Sequence, residues 1–141
     1  MTSSKTNKVL IIGVDGGTFD VILPLVEKGL LPNLGRLMKE GTWGPLKSVI
    51  PPVTPAAWSS FITGTNPGTH GIYDFRKRKE GTYRLMPNSA ATLKATMLWE
   101  VLSRHDRSCC VINVPMTYPV RPIDGEMIAG IPAPGDMDTF T

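Results

Sequence analysis

A nearly continuous apolar run close to the start of the chain places the strongest constraint on its fold. The segment 8–14 is rich in β-branched residues and does not alternate with polar ones. Such a run predicts a central strand covered on both faces of a sheet, not a strand with one face in water. Asp15, Gly16 and Gly17 interrupt it. A strand of this kind needs a layered structure around it.

The rest of the chain alternates between helical and extended patterns. Helices are predicted over 32–41, 54–64 and 96–102, and strands over 42–50, 83–86, 109–114 and 126–131. Between residues 18 and 28, Pro24 conflicts with a regular helix, so a helix there is expected to be kinked or to start late. Residues 66–71 are expected to form a loop. This alternation predicts an α/β fold with a mostly parallel sheet.

Length and composition fit one globular domain. With 141 residues, 41% of them apolar and 19% charged, the chain can bury a real core. It has no apolar stretch of about 18 residues, and its opening polar tail, residues 1–7, does not resemble a signal peptide. We expect a cytoplasmic protein without a membrane partner. The only two cysteines, Cys109 and Cys110, are adjacent, which excludes a disulfide scaffold and predicts small buried hydrophobic residues.

One dense cluster of basic residues occupies 76–79, in a chain of formal net charge +3. Such a run is typical of a solvated loop, and an anion- or nucleic-acid-contacting patch is the alternative. No aromatic residue is interleaved in the run, so the sequence predicts no specific nucleic-acid partner.

Two residues are candidates for chemistry by their positions. Asp15 follows the first predicted strand, and ligands in α/β sheets bind beyond the carboxyl ends of strands, where a carboxylate suits a divalent cation. The alternative is that Asp15 shapes a turn or caps a helix. Thr54 is predicted as a hydroxyl N-cap followed by Pro55, at a helix end that attracts phosphoryl oxygens. From position alone, a simple helix cap is the more economical interpretation of Thr54.

The two histidines do not form a recognisable metal motif. His70 lies in a predicted turn, where a histidine bonded to backbone is more common than a metal ligand. His105 lies at a predicted helix end, where it complements the helix dipole. Their spacing is not the i, i+4 spacing of a helical zinc motif. The three tryptophans, Trp43, Trp58 and Trp99, are expected to anchor a core or an interface.

Four motifs in fixed order resemble the type I phosphodiesterase/nucleotide pyrophosphatase family of the alkaline phosphatase superfamily. They are Ile12-Gly13-Val14-Asp15-Gly16-Gly17, Leu31-Pro32-Asn33-Leu34 with Leu37, Pro51-Pro52-Val53-Thr54-Pro55-Ala56-Ala57-Trp58, and Thr63-Gly64 with Pro67-Gly68-Thr69-His70-Gly71-Ile72. The later segments 99–102 and 113–119 look like those of its microbial members. Each motif alone is weakly specific, and the four in register are fairly specific.

The resemblance implies an alkaline-phosphatase-like three-layer sandwich, of which residues 8–141 are the amino-terminal portion. It implies two divalent cations, usually zinc, and small phosphate-ester substrates. The residue matching Asp15 binds a metal, and the residue matching Thr54 is both nucleophile and ligand. Hydrolysis of phosphodiester or pyrophosphate bonds then passes through a phospho-threonine intermediate.

Two departures from the family pattern limit this implication. Eukaryotic members have an Asn where this chain has Ala57, so another donor or another substrate choice is implied. The family's remaining Asp and His ligands lie far downstream, and this chain stops soon after a turn at 131–135. Because tetrahedral zinc needs three or four ligands, we expect a fragment that alone holds no catalytic metal and turns over no substrate.

Three other classes of protein compete with this interpretation. Residues 13–18 resemble the phosphate loop of actin-like sugar kinases and ATPases, but no second strand of the expected hairpin is evident after it. A non-catalytic binding or structural module is the second alternative. A sulfatase would need a Cys or Ser in a Cys/Ser-x-Pro-x-Arg setting, which neither Cys109 nor Thr54 has.

Overall fold

The computed structural model describes residues 8–133 and Phe140. The predicted polar tail, residues 1–7, and residues 134–135 of the predicted final turn at 131–135 therefore lie outside the described residues. The chain divides into two compact units, an amino-terminal unit of residues 1–45 and a carboxyl-terminal unit of residues 46–141. Each unit is described by itself.

Two helices form the amino-terminal unit. Helix α1 spans Phe19–Glu27 and α2 spans Pro32–Glu40. Thr18 caps α1, because its side chain accepts a hydrogen bond from the N–H of Asp20. Pro24 lies inside α1, so the helix does not start late. Helix α2 confirms the prediction over 32–41.

The predicted central strand at 8–14 is wrong for the described structure, which has no strand there. Its apolar side chains are more than half exposed, from 57% for Ile11 to 84% for Val9. A strand exists only where a neighbour pairs with its N–H and C=O groups. Neither sheet of the described residues includes this segment. The predicted strand at 42–50 is also absent, and Pro45 within it cannot donate to a ladder.

Three helices and two small sheets form the carboxyl-terminal unit. The helices are α3 (Thr54–Thr63), α4 (Pro67–His70) and α5 (Leu98–Ser103), with a 3-10 turn at Ala90–Thr92. The loop predicted at 66–71 is instead mostly the one-turn helix α4, because Asn66 caps it and Pro67 suits its first position. The predicted cap of α5 at Thr96 is wrong by one residue, since Met97 is the N-cap and its N–H donates to Glu100 Oε2 at 2.7 Å.

The two sheets differ in the relative direction of their strands. Strands β1 (Arg76–Arg78) and β2 (Leu85–Pro87) form an antiparallel hairpin. Strands β3 (Cys109–Val114) and β4 (Gly125–Ala129) are parallel. Gly125 is required where β4 begins, because a Cβ atom there would lie 1.9 Å from the carbonyl oxygen of Cys109.

A hydrophobic core lies in the carboxyl-terminal unit. Its buried members are Ile62, Ile72, Ala90, Leu93, Met97, Trp99, Val111, Met116 and Met127. Beside this core, Arg121 forms a salt bridge with Glu100, 3.1 Å between Nη1 and Oε1, and its other nitrogen donates to the carbonyl of Ala90. Trp99 is one of the buried core residues, which confirms its prediction as a core anchor.

The chain is an α/β protein with one parallel sheet, as the sequence predicts. The three-layer sandwich and the larger parallel sheet stay predictions, since the described residues hold two sheets of two strands each.

Candidate functional site

Thr54 is the first residue of α3 and not its cap. Val53, in extended conformation, is the N-cap, and its apolar side chain makes no capping hydrogen bond. The predicted role of Thr54 as an N-cap is therefore wrong. Val53, with φ −121° and ψ 151°, is the last extended residue, and Thr54 is already helical, so the helix begins one residue earlier than predicted. Thr54 is half-buried, and its hydroxyl belongs to the first helical turn.

Helix α3 presents two different faces around Thr54. Pro55, Ala56, Ser59 and Ile62 are buried and attach the helix to the core. The residues three, four and seven positions after Thr54 lie on its side of the helix. They are Ala57, Trp58 and Phe61, and all of them reach solvent. Trp58 and Phe61 meet edge to face, with ring centroids 5.7 Å apart. The face that carries Thr54 is thus apolar and partly open.

The amino end of α3 is suited to an anion. Pro55 has no N–H, and the N–H of Ala57 bonds to the carbonyl of Val53 at 2.9 Å. The N–H of Ala56 lies in the first turn, where no carbonyl of the same helix can accept it. Ala56 is fully buried, so this N–H is covered, and a phosphoryl oxygen at this end would be attracted by the positive end of the helix dipole.

His70 is a buried connector between α3 and α4. Its Nε2 lies 2.9 Å from Ser60 Oγ, and its Nδ1 accepts a hydrogen bond of 3.1 Å from the N–H of Ile72. The predicted bond between His70 and backbone is confirmed. Because a backbone N–H can only donate, Nδ1 is unprotonated and Nε2 carries the proton. Burial lowers the pKa of His70, which keeps the ring neutral.

This arrangement excludes a serine–histidine nucleophile at Ser60. A general base would have to accept the proton of the Ser60 hydroxyl at Nε2, but that nitrogen already bears a proton and donates to Ser60. The pair joins two helices and does not activate a nucleophile. Sequence reasoning missed Ser60, because its contact with His70 joins two different helices and no local pattern indicates it.

Asp15 lies in a turn and not at the end of a paired strand. The N–H of Gly17 bonds to the carbonyl of Val14 at 3.3 Å, and Gly16 has φ +66°. Only glycine adopts this conformation readily, so Asp15-Gly16 is the tip of a β-turn. The carboxylate of Asp15 is exposed, just before the amino end of α1.

The two predicted site residues belong to different units. Asp15 is in the amino-terminal unit and Thr54 is in the carboxyl-terminal unit. Within residues 8–133 and Phe140, no group of three or more His, Cys, Asp or Glu side chains is placed to hold a metal ion. Two oxygen donors fall short of the three or four ligands of a zinc site.

The carboxyl edge of the parallel pair is closed by the chain itself. Thr117 Oγ1 donates to the carbonyl of Val114 at 2.6 Å and accepts from the N–H of Gly130 at 2.9 Å. The N–H of Met116 bonds to the carbonyl of Ile131 at 2.7 Å. Thr117 and Met116 are fully buried. Since ligands bind beyond open strand ends, this edge is structural in the described part of the chain.

A shallow depression at the other end of this pair is lined by both cysteines. Cys109 is half-buried and Cys110 is exposed, so the prediction of two buried residues is wrong. Alternate side chains of a strand point to opposite faces, and only one face of β3 is covered. Burial, with the charge of Asp124 and then Cys110, raises the pKa of the Cys109 thiol. A protonated thiol is a weak nucleophile and a weak metal ligand.

Comparison with known proteins identifies the family. The family model described as type I phosphodiesterase / nucleotide pyrophosphatase matches residues 9–139. No curated protein and no solved structure matches the chain significantly. No helix within the described residues has the length and apolar character needed to cross a membrane.

Proposed function

Because the chain belongs to the type I phosphodiesterase/nucleotide pyrophosphatase family, we propose that it carries the nucleophile of a phosphodiester- or pyrophosphate-cleaving hydrolase. The observation that supports this most directly is the match over 9–139, which includes Thr54 at the amino end of α3. Small phosphate esters are the substrates of this class. Localisation in the cytoplasm stays a prediction.

The proposed hydrolysis has two steps, formation of a phospho-threonine and its hydrolysis by water. Thr54 Oγ attacks phosphorus, the bond from phosphorus to the leaving oxygen breaks, and the leaving group departs as an alcohol or a phosphate. Water then attacks the phosphorus of the phospho-threonine, the bond from phosphorus to Thr54 Oγ breaks, and the phosphoryl group leaves on the water oxygen while a water proton restores the Thr54 hydroxyl. The amino end of α3 stabilises the non-bridging oxygens through the positive end of the helix dipole.

Metal dependence belongs to the proposal on the strength of family membership. Two divalent cations, zinc by resemblance, would lower the pKa of the attacking hydroxyl in the complete enzyme. Asp15 and Thr54 are the donors that this chain would contribute. Since two donors do not make a zinc site, we propose that the chain alone holds no zinc.

Metal analysis of the purified chain tests that part of the proposal. We expect less than stoichiometric zinc after exchange against a weak chelator. One zinc or more per chain, retained by the wild type and lost in Asp15→Asn, would show that the chain completes its own site.

Substitution of Thr54 in the full-length enzyme tests the nucleophile. Thr54→Ala should lower the turnover of a nitrophenyl phosphodiester by at least about a thousandfold, because the covalent route is removed. Thr54→Ser keeps a hydroxyl and should retain measurable activity. Acid quenching followed by mass spectrometry should find phosphate on residue 54 of the wild type. Thr54→Ala activity within about tenfold of wild type would refute the assignment.

The structure offers no support for the actin-like alternative. Residues 13–18 lead directly into α1, whereas the phosphate loop of that class joins two strands of a hairpin. A non-catalytic module is the remaining alternative, and an inactive full-length protein would favour it.

A further inference from the structure

The net charge of the chain is concentrated in one hairpin. Residues 74–87 contain five of the fifteen Lys and Arg residues and two of the twelve acidic residues. The rest of the chain has ten of each and is formally neutral. The whole formal net charge of +3 therefore belongs to this short segment.

The segment is an ordered hairpin and not the solvated loop that the sequence predicts. Strand β1 pairs with β2, and the N–H of Lys79 bonds to the carbonyl of Arg84 at 2.8 Å to close the turn. At its base, buried Asn88 donates from its backbone to Phe75 and from its side chain to Asp74, each at 2.7 Å. The basic side chains thus extend from a fixed backbone.

Four of the five cations of the hairpin are exposed, and none of the five has a carboxylate partner among the described residues. Arg76 and Arg78 point to the same face of β1, roughly 7 Å apart along the strand. Both are exposed, as are Lys79 and Arg84. The only salt bridge within residues 8–133 and Phe140 joins Arg121 to Glu100. Like charges held together in this way repel one another, and a bound polyanion would relieve the repulsion.

The fold brings an aromatic ring to these cations. Tyr83 is 94% exposed, and the guanidinium of Arg78 lies 5.9 Å from its ring centroid. The basic run itself contains no aromatic residue, so this contact was not predicted from the sequence. Exposed cations beside an exposed aromatic ring are the usual elements of a surface for single-stranded nucleic acid.

We propose that the basic hairpin, residues 74–87, binds single-stranded nucleic acid without base specificity. Arg76, Arg78 and Lys79 contact successive phosphates, and Tyr83 stacks on a base. A small anion would need convergent buried donors, whereas these cations are exposed and spread along a strand, which fits a chain-like anion. The contacts are to phosphates and ring faces, so the sequence-based expectation of no specific nucleic-acid partner stays a prediction. The binding is independent of the proposed hydrolysis.

Fluorescence anisotropy with the full 141-residue chain and a labelled oligothymidine tests this surface. If three to four phosphates are neutralised, the logarithm of the binding constant should fall with the logarithm of salt concentration with a slope of about −2 to −3. Arg76→Gln with Arg78→Gln should weaken binding and make the slope less steep by about 1.4. Tyr83→Ala should weaken binding by at least about fivefold, with Tyr83→Phe near wild type.

The matched control is Arg104→Gln with Arg107→Gln, which removes two exposed cations from the same unit. It should leave binding nearly unchanged. Equal loss in both double variants would overturn the proposal, since general charge would then explain binding. Tighter binding to phosphatidylserine vesicles than to the oligonucleotide at equal salt would also overturn it. So would equal binding of inorganic polyphosphate together with no effect of Tyr83→Ala. Circular dichroism of each variant verifies that the fold is retained.

Discussion

The two units of the chain differ in how much apolar surface they bury. Within the described residues, the amino-terminal unit contains no buried residue, although it carries the most apolar segment of the chain. The carboxyl-terminal unit buries a continuous core built from helices and from one face of a parallel strand pair. Apolar sequence is therefore not sufficient for burial, because a strand also needs a neighbour that pairs with it.

The two candidate site residues therefore differ in how firmly the surrounding structure holds them. Thr54 begins a helix whose opposite face is fixed in the core through Ala56 and Ile62. Asp15 occupies the tip of a turn between an exposed segment and α1. Unit stability should therefore respond to changes near Thr54 and hardly at all to changes near Asp15.

The largest effect is expected from adding a Cβ atom to β4. Gly125→Ala would place that atom 1.9 Å from the Cys109 carbonyl oxygen, at a residue with φ +135°. The backbone must move and the parallel pair must separate, so we expect a loss of about 4 kcal/mol or more in the free energy of unfolding. Urea denaturation followed by circular dichroism measures it.

Gly44→Ala is the matched control in the other unit, where an added Cβ atom meets nothing within 4 Å. It should change the free energy of unfolding by less than about 1 kcal/mol. Similar losses in both variants would contradict the contrast between the units.

A smaller effect is expected from a cavity in the core. Ile62 is 1% exposed on α3, so Ile62→Ala should lower the free energy of unfolding by about 2–5 kcal/mol. Ile12 is 77% exposed, and the same substitution there should change it by no more than about 0.5 kcal/mol. A large loss in Ile12→Ala would show that the apolar segment is buried in solution.

Sequence reasoning succeeded where the controlling interactions are local. Helix α3 was predicted from Pro55 near its start and Gly64 at its end, and β3 from a short apolar run that is bounded by Pro115. Both signals act within a few residues of the element that they define.

It failed where structure depends on distant partners. The strand at 8–14 needs a neighbour that its own residues do not specify, and the side-chain bond between Ser60 and His70 joins two helices. The hairpin contact between Arg78 and Tyr83 requires a turn to bring the residues together. The predicted metal role of Asp15 stays a prediction for the same reason, since ligands come together only in the tertiary fold.

The smallest expected effect is the pH dependence that His70 gives to the carboxyl-terminal unit. Burial lowers its pKa below the ordinary value of 6.5, so the unfolded chain binds the proton more tightly than the folded chain. This contribution to stability is present above about pH 6.5 and is lost as the pH falls below that value. Wild-type urea midpoints should thus be lower at about pH 5.5 than at about pH 7.5, a range above that in which most carboxylates titrate.

Two histidine variants test this pH dependence. His70→Gln should weaken it, and His105→Gln, which removes an exposed histidine, should keep it. A decrease in the urea midpoint that persists unchanged in His70→Gln would have to come from other groups. In that case His70 would not be the buried neutral ring that its contacts with Ser60 and Ile72 require.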